Sequence, residues 1–143
     1  MDADTSLLDG CRALIVAKIK WIMLVSGVLT CTMIYAAIAP QAALRSTFGP
    51  TLEGSLAEIV VRNWGALITL VGAMLIYGAF NPPTRLLILT VAGLSKLTFI
   101  GLVLAYGTQY LGHQAGVSIA VDLVMVVLFI SYLIAVRRDT TAA

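Results

Sequence analysis

Charge is scarce in this sequence. Lysine, arginine, aspartate and glutamate make up 11% of its 143 residues, against about 25% in an ordinary soluble domain. So little polar surface cannot cover a water-facing globule. The net charge of +2 is scattered, with no basic run longer than two residues, which excludes a nucleic-acid footprint. Histidine occurs once, as His113, so this chain alone cannot build a multi-histidine haem or di-iron site. Cysteine occurs twice, as Cys11 and Cys31, and never as CxxC. Thiol–disulfide exchange and zinc therefore lack their motif. Both thiols are expected to be free, and no metal site is expected. Internal repeats and low-complexity tracts are also lacking.

What the chain has is hydrophobicity, at 60% of residues and a mean hydropathy of +1.00. It comes in four blocks, at 21–39, 58–80, 85–107 and 116–136, each about the 20 residues a helix needs to cross a bilayer. The length suits one compact unit. The expected fold is an all-α, four-span membrane bundle. Ahead of the first span, residues 1–20 mix Asp2, Asp4 and Asp9 with Arg12, Lys18 and Lys20. Leu7, Leu8, Cys11, Leu14 and Ile15 recur there at helical spacing, which reads as a short interfacial helix or as a frayed tail with an early helix start. Ala37-Ile38-Ala39 resembles a signal-peptide cleavage site. The long acidic leader, the length of the apolar run and Pro40 immediately after the cut argue for a span instead.

Gln41–Ala57 is the longest connection. Ser55-Leu56-Ala57-Glu58 has capping-box form, so a helix is expected to start near Ser55. Glu58 and Arg62 stand four apart, acid first, and predict a same-face pair. Gly65, Thr69, Gly72 and Ala73 make a stripe of small residues that lets another helix approach closely. Asn81-Pro82-Pro83-Thr84 breaks the chain into a hairpin, with Thr84 as the expected cap of the third long helix. Trp21, Trp64, Tyr77, Tyr106 and Tyr132 read as interface anchors. Met125, Phe129 and Tyr132 form a stripe of core or lipid contact. The tail at 139–143 is expected to be disordered.

Arg12, Lys18, Lys20, Arg85, Arg137 and Arg138 fall on one side of a four-span model, and Arg45 and Arg62 on the other. The excess of basic residues places both termini in the cytoplasm. Within this frame Lys96 lies near the middle of its span. An ammonium there costs about 2.5–3.5 kcal/mol on insertion scales, so it requires a partner. Asp122, inside the last span, is that partner, and the flexible lysine stem is long enough to lean towards it. Arg62 is expected about 6 Å below Glu58 at the rise of a helix. Arg62, Asn63, Lys96 and Asp122 are thus expected to converge in the outer half, with Glu58 at its rim. Thr30, Cys31 and Tyr35 lie at matching depth, and His113 lies in the outer loop. These residues read either as structural pairs and hydrogen bonds or as an outward-facing pocket for a polar head group.

The run RNWGALITLVGAMLIYGAF and the following AGLSKLTFIGLVLAYG resemble the small four-span bacterial proteins grouped as DoxX-like. The likeness covers about Leu14–Val136 and lies in size, span count and a polar, glycine-rich second span. It implies an accessory protein of the bacterial inner membrane, near quinone or lipid chemistry, and it carries over no catalytic residue. A vitamin-K-epoxide-reductase type lacks its CxxC here, and a small multidrug exporter lacks its acid in the first span. Three functional readings remain open. One is a non-enzymatic protein binding a lipid or quinone head group or a partner subunit. A second is an oxidoreductase-associated subunit moving a proton through Lys96 and Asp122. The third is a small proton-coupled transporter, although discontinuous helices are not signalled. Membrane lipids and a partner subunit or second copy of the chain are the expected partners, with no nucleic acid and no bound cofactor beyond such a quinone or lipid.

Overall fold

The computed structural model describes the backbone of residues 2–141 and the side chains of residue 10 and residues 13–137. Six helices account for nearly all of it: α1 (Asp2–Cys31), α2 (Ile34–Ile38), α3 (Pro40–Phe48), α4 (Ser55–Phe80), α5 (Arg85–Tyr106) and α6 (Gln114–Thr141). Two 3₁₀ turns, Pro82–Thr84 and Thr108–Tyr110, precede α5 and α6. Ala13–Ile38, Ser55–Phe80, Pro82–Tyr106 and Gln114–Arg137 are long and apolar enough to cross a membrane. Leu67, Leu70, Leu94, Val124 and Val127 stand exposed on their outer faces. Apolar side chains covering the outside of a helical bundle mark an integral membrane protein.

The four long helices run up and down in a ring. α1 packs on α4 and α6, and α5 packs on α4 and α6. Ile19, early in the first span, clusters with Leu75 and Ala79 late in the second, Leu89 early in the third and Phe129 in the later half of the fourth, which fixes the alternating directions. The end that holds the Asn81–Thr84 turn is termed the proline end, and the opposite one the loop end. At the proline end, α4 stops at Asn81 before Pro82. Arg85 satisfies its last carbonyls, with Nε donating to Gly78 O at 3.1 Å and Nη2 to Ala79 O at 2.9 Å.

The seam of α4 with α1 and α2 is made by glycine. A methyl group on Gly72 would meet the carbonyl of Gly27 at 2.8 Å, and one on Gly65 would meet the backbone nitrogen of Ala37 at 2.6 Å. These contacts are backbone on backbone, so only glycine allows the approach. Thr69 belongs to the same seam, its carbonyl accepting from Cys31 Sγ at 3.6 Å. Ala73, expected there too, points outwards and is exposed.

Several local features go beyond the sequence reading or depart from it. The lead-in at residues 2–20 is continuous with the first span as part of α1, because Ile15 and Ile19 extend the buried face of Met23. The first span is itself interrupted: α1 stops at Cys31, and α2 resumes at Ile34. Thr32 Oγ1 donates to Leu29 O at 2.6 Å, and Met33 N to Thr30 O at 3.2 Å, a tightened turn of the kind a helical threonine promotes. The long connection contains α3, started by Pro40 at its first position. Neither expected side-chain cap forms. Gly54 holds the N-cap of α4 at φ 103°, with Ser55 already inside the helix. Thr84 Oγ1 donates backwards to Asn81 O at 2.9 Å. The backbone of α6 is described through Thr141, and the expectation for the tail at 139–143 falls partly outside the described residues. So does the Cys11 side chain, whereas the Cys31 thiol is free.

Candidate functional site

Packing differs between the two ends. At the proline end one cluster fills the bundle axis, with Met23, Leu75, Leu89 and Phe129 fully buried. Tyr132, expected as an interface anchor, belongs to this cluster. Tyr106 does face outwards, and Tyr77 accepts a hydrogen bond from Asn81 Nδ2 at 2.6 Å. Towards the loop end the core splits in two. Ala36, Ala43, Leu44 and Val61 form one part, Ile100, Val103 and Ile119 the other, and Phe48 touches both.

Between those parts and the filled end lies a cavity of about 280 Å³. Among the described residues, the charged ones that line it are Lys96 and Asp122. Lys96 is carried by α5 and is 7% exposed. Its Nζ donates to Asp122 Oδ1 on the neighbouring α6 and, across the ring at 3.4 Å, to Thr30 Oγ1 on α1. Three of the four crossings are thereby tied at one depth. Thr30 and Lys96 are buried, and Asp122 is half-buried. An ammonium has three donors, and two of these are engaged. Asp122 Oδ2 accepts nothing from any described residue.

α6 adds a polar stripe that sequence reasoning missed. Gln114, Ser118 and Asp122 recur every four residues and all line the cavity. That spacing puts them on one helix face, and reading back from Asp122 in steps of four would have found them. Ser95, beside Lys96, also lines the cavity. Its hydroxyl and that of Ser118 bond to no described group, whereas Thr98 and Ser131 donate to the carbonyls one turn back. Trp64 and Phe99 close the cavity on the side of α4 and α5. Trp64 is therefore a wall residue, packed on Phe48 with ring centroids 6.1 Å apart, in place of the expected interface anchor.

The cavity opens sideways. Leu29 and Thr32 on the first span, and Val117 and Val121 on α6, line it and are also exposed. Ile19 and Met23 of α1 share the filled cluster with Phe129 and Tyr132 of α6, below the level of these mouth residues. The doorway thus faces the region a bilayer would occupy.

The remaining predicted site residues lie elsewhere. Arg62 does not line the cavity. Its Nη1 donates to Ala37 O at 2.7 Å and Ile38 O at 3.1 Å, satisfying the end of α2, and its Nη2 sits 3.8 Å from Glu58. The expected Glu58–Arg62 pair is present, on the surface. Asn63 and Tyr35 are exposed and outside the cavity lining. Cys31 is in the α1–α4 seam. His113 is exposed and lies over Gly49, where φ is 89° and an added methyl group would meet its Nε2 at 2.5 Å. The four-residue convergence thus reduces to Lys96 and Asp122, joined by Thr30.

Among the described residues no group of three histidine, cysteine or acidic side chains is placed to hold a metal ion. No family model matches this chain, nor does any curated protein or solved structure.

Proposed function

We propose that this protein is a membrane amphiphile-binding protein of the accessory, non-enzymatic kind, taking a polar head group into the cavity at Lys96 and Asp122. The observation that carries the reading is a charged pair lining a hollow whose mouth opens between α1 and α6. A buried ion pair serving structure alone repays its desolvation when further hydrogen bonds satisfy its remaining lone pairs and protons. Here Asp122 Oδ2 and the third Lys96 hydrogen face the cavity unmatched by any described residue, beside two hydroxyls that likewise bond to none. A site of this kind, mostly apolar with a few convergent polar groups, is the usual form of a small-molecule pocket. The sideways mouth suits a ligand that arrives dissolved in the bilayer with its tail left outside.

We place both termini in the cytoplasm and the loop end outside, on the distribution of lysine and arginine. The resemblance to DoxX-like proteins of the bacterial inner membrane accords with an accessory role near lipid or quinone chemistry. Transport is less well supported. The interrupted first span is a transporter-like feature, but Met23, Leu75, Leu89 and Phe129 fill the path towards the proline end.

Native mass spectrometry of the protein released from membranes tests the reading. A co-purifying amphiphile is expected with the unchanged chain. Lys96→Met and Ser118→Phe, the second plugging the cavity with the pair intact, are expected to lose it while retaining helical content. Equal retention by both folded variants would exclude the cavity as the site.

A further inference from the structure

The cavity's charge balance says what kind of head group it takes. Among the described residues Lys96 is the one cation lining it, and its charge is met at contact by Asp122. Arg62 is committed to Glu58 and to the end of α2. The lining therefore carries no uncompensated positive charge. A phosphate or carboxylate placed beside Lys96 would also lie beside the Asp122 carboxylate, having lost its water in a mostly apolar hollow. A cationic head meets the mirror-image problem at Lys96.

An uncharged head avoids both penalties. Asp122 Oδ2, without a partner among the described residues, accepts a proton donor. The third hydrogen of the Lys96 ammonium and the free hydroxyls of Ser95 and Ser118 offer donors to an oxygen. The volume of about 280 Å³ holds a small head and the first carbons behind it, while the rest of a chain leaves between Val117 and Leu29. Resting on the amphiphile reading above, we infer that the ligand is a neutral, single-headed amphiphile. Its hydroxyl donates to Asp122, and a second oxygen, hydroxyl or carbonyl, accepts from Lys96 or the serines.

The test varies the ligand and leaves the protein unchanged, so folding does not confound it. The full chain is placed in phosphatidylcholine nanodiscs doped separately with three probes: monooleoylglycerol, its dimethyl ether and dioleoylphosphatidylglycerol. Retention is read by native mass spectrometry after release. Monooleoylglycerol is expected to be retained about tenfold over its dimethyl ether, the factor for one lost hydrogen bond to a charged acceptor. It is expected to exceed the phosphatidylglycerol by at least as much. Ser118→Phe is expected to abolish the difference. Retention of the phosphatidylglycerol above the neutral probe, lost in Ser118→Phe, would overturn the neutral-head assignment and leave the amphiphile site standing. Equal retention of hydroxyl and ether, displaced by the plug, would do the same. Retention of no probe above the phosphatidylcholine background, or retention the plug does not change, would overturn the site itself.

Discussion

The proline end and the loop end of this bundle are built from the same four long helices, yet one is filled and the other is hollow. At the proline end Met23, Leu75, Leu89 and Phe129 occupy the axis. Towards the loop end Phe48 bridges two smaller clusters, and a charged pair sits in the hollow below. In lipid, helices gain little from hiding apolar surface and are held by packing and by interhelical hydrogen bonds. The two ends divide those tasks. One holds by close contact, the other by a lysine that reaches an aspartate and a threonine on separate helices.

That division can be broken at either end, and each break has its own size. The largest effect is expected from Asp122→Leu, which strands the Lys96 ammonium; loss of one partner of a buried pair costs about 3–5 kcal/mol. Unfolding of the purified protein in mixed micelles measures it. Lys96→Met combined with Asp122→Leu is expected to recover most of that loss, since no lone charge remains. A double variant as unstable as the single one would mean the pair fixes the fold and not merely its own charge. Phe129→Ala opens a void at the filled end and is expected to cost about 2–3 kcal/mol, towards the lower side for such truncations because lipid offers no water-transfer term. Gly72→Ala pushes α1 off α4 and is expected to cost about 1–3 kcal/mol. The same micelle titration would show it, with Ala73→Leu on the exposed flank as the neutral control. Ser95→Ala with Ser118→Ala removes two uncommitted hydroxyls and is expected to shift stability by under about 0.5 kcal/mol. A larger loss would show that the hydroxyls brace the helices and are not held in reserve. Glu58→Gln, at a half-exposed surface pair, is expected to stay within about 1 kcal/mol.

The pairing of Lys96 with Asp122 was legible because an ammonium in an apolar run must be answered, and one acid stood at a matching depth. The four spans and the proline hairpin were legible for equally local reasons. Rotation about each helix was not. Depth alone put Arg62 near Lys96, although Arg62 turns to the carbonyls of Ala37 and Ile38. Nothing at Thr30–Met33 announces a helix break, since neither proline nor glycine lies there. The break depends on a threonine hydroxyl bonding back to Leu29 and on α2 settling against Gly65 of α4. Tyr106 and Tyr132 look alike in sequence and differ only in the side of the helix they occupy, which their neighbours decide.

The interruption of the first span carries a consequence for traffic. Beyond Cys31 the chain leans onto α4, clamped there by the Arg62 guanidinium and the bare backbone of Gly65. That lean is set by the main chain, beside the mouth lined by Leu29, Thr32, Val117 and Val121. On the proposed amphiphile reading, a guest in this hollow would wait on no swinging side chain. Its rate of exchange would be set by the lipids crowding the doorway, so a thicker or stiffer bilayer is expected to slow the exchange with the protein unchanged.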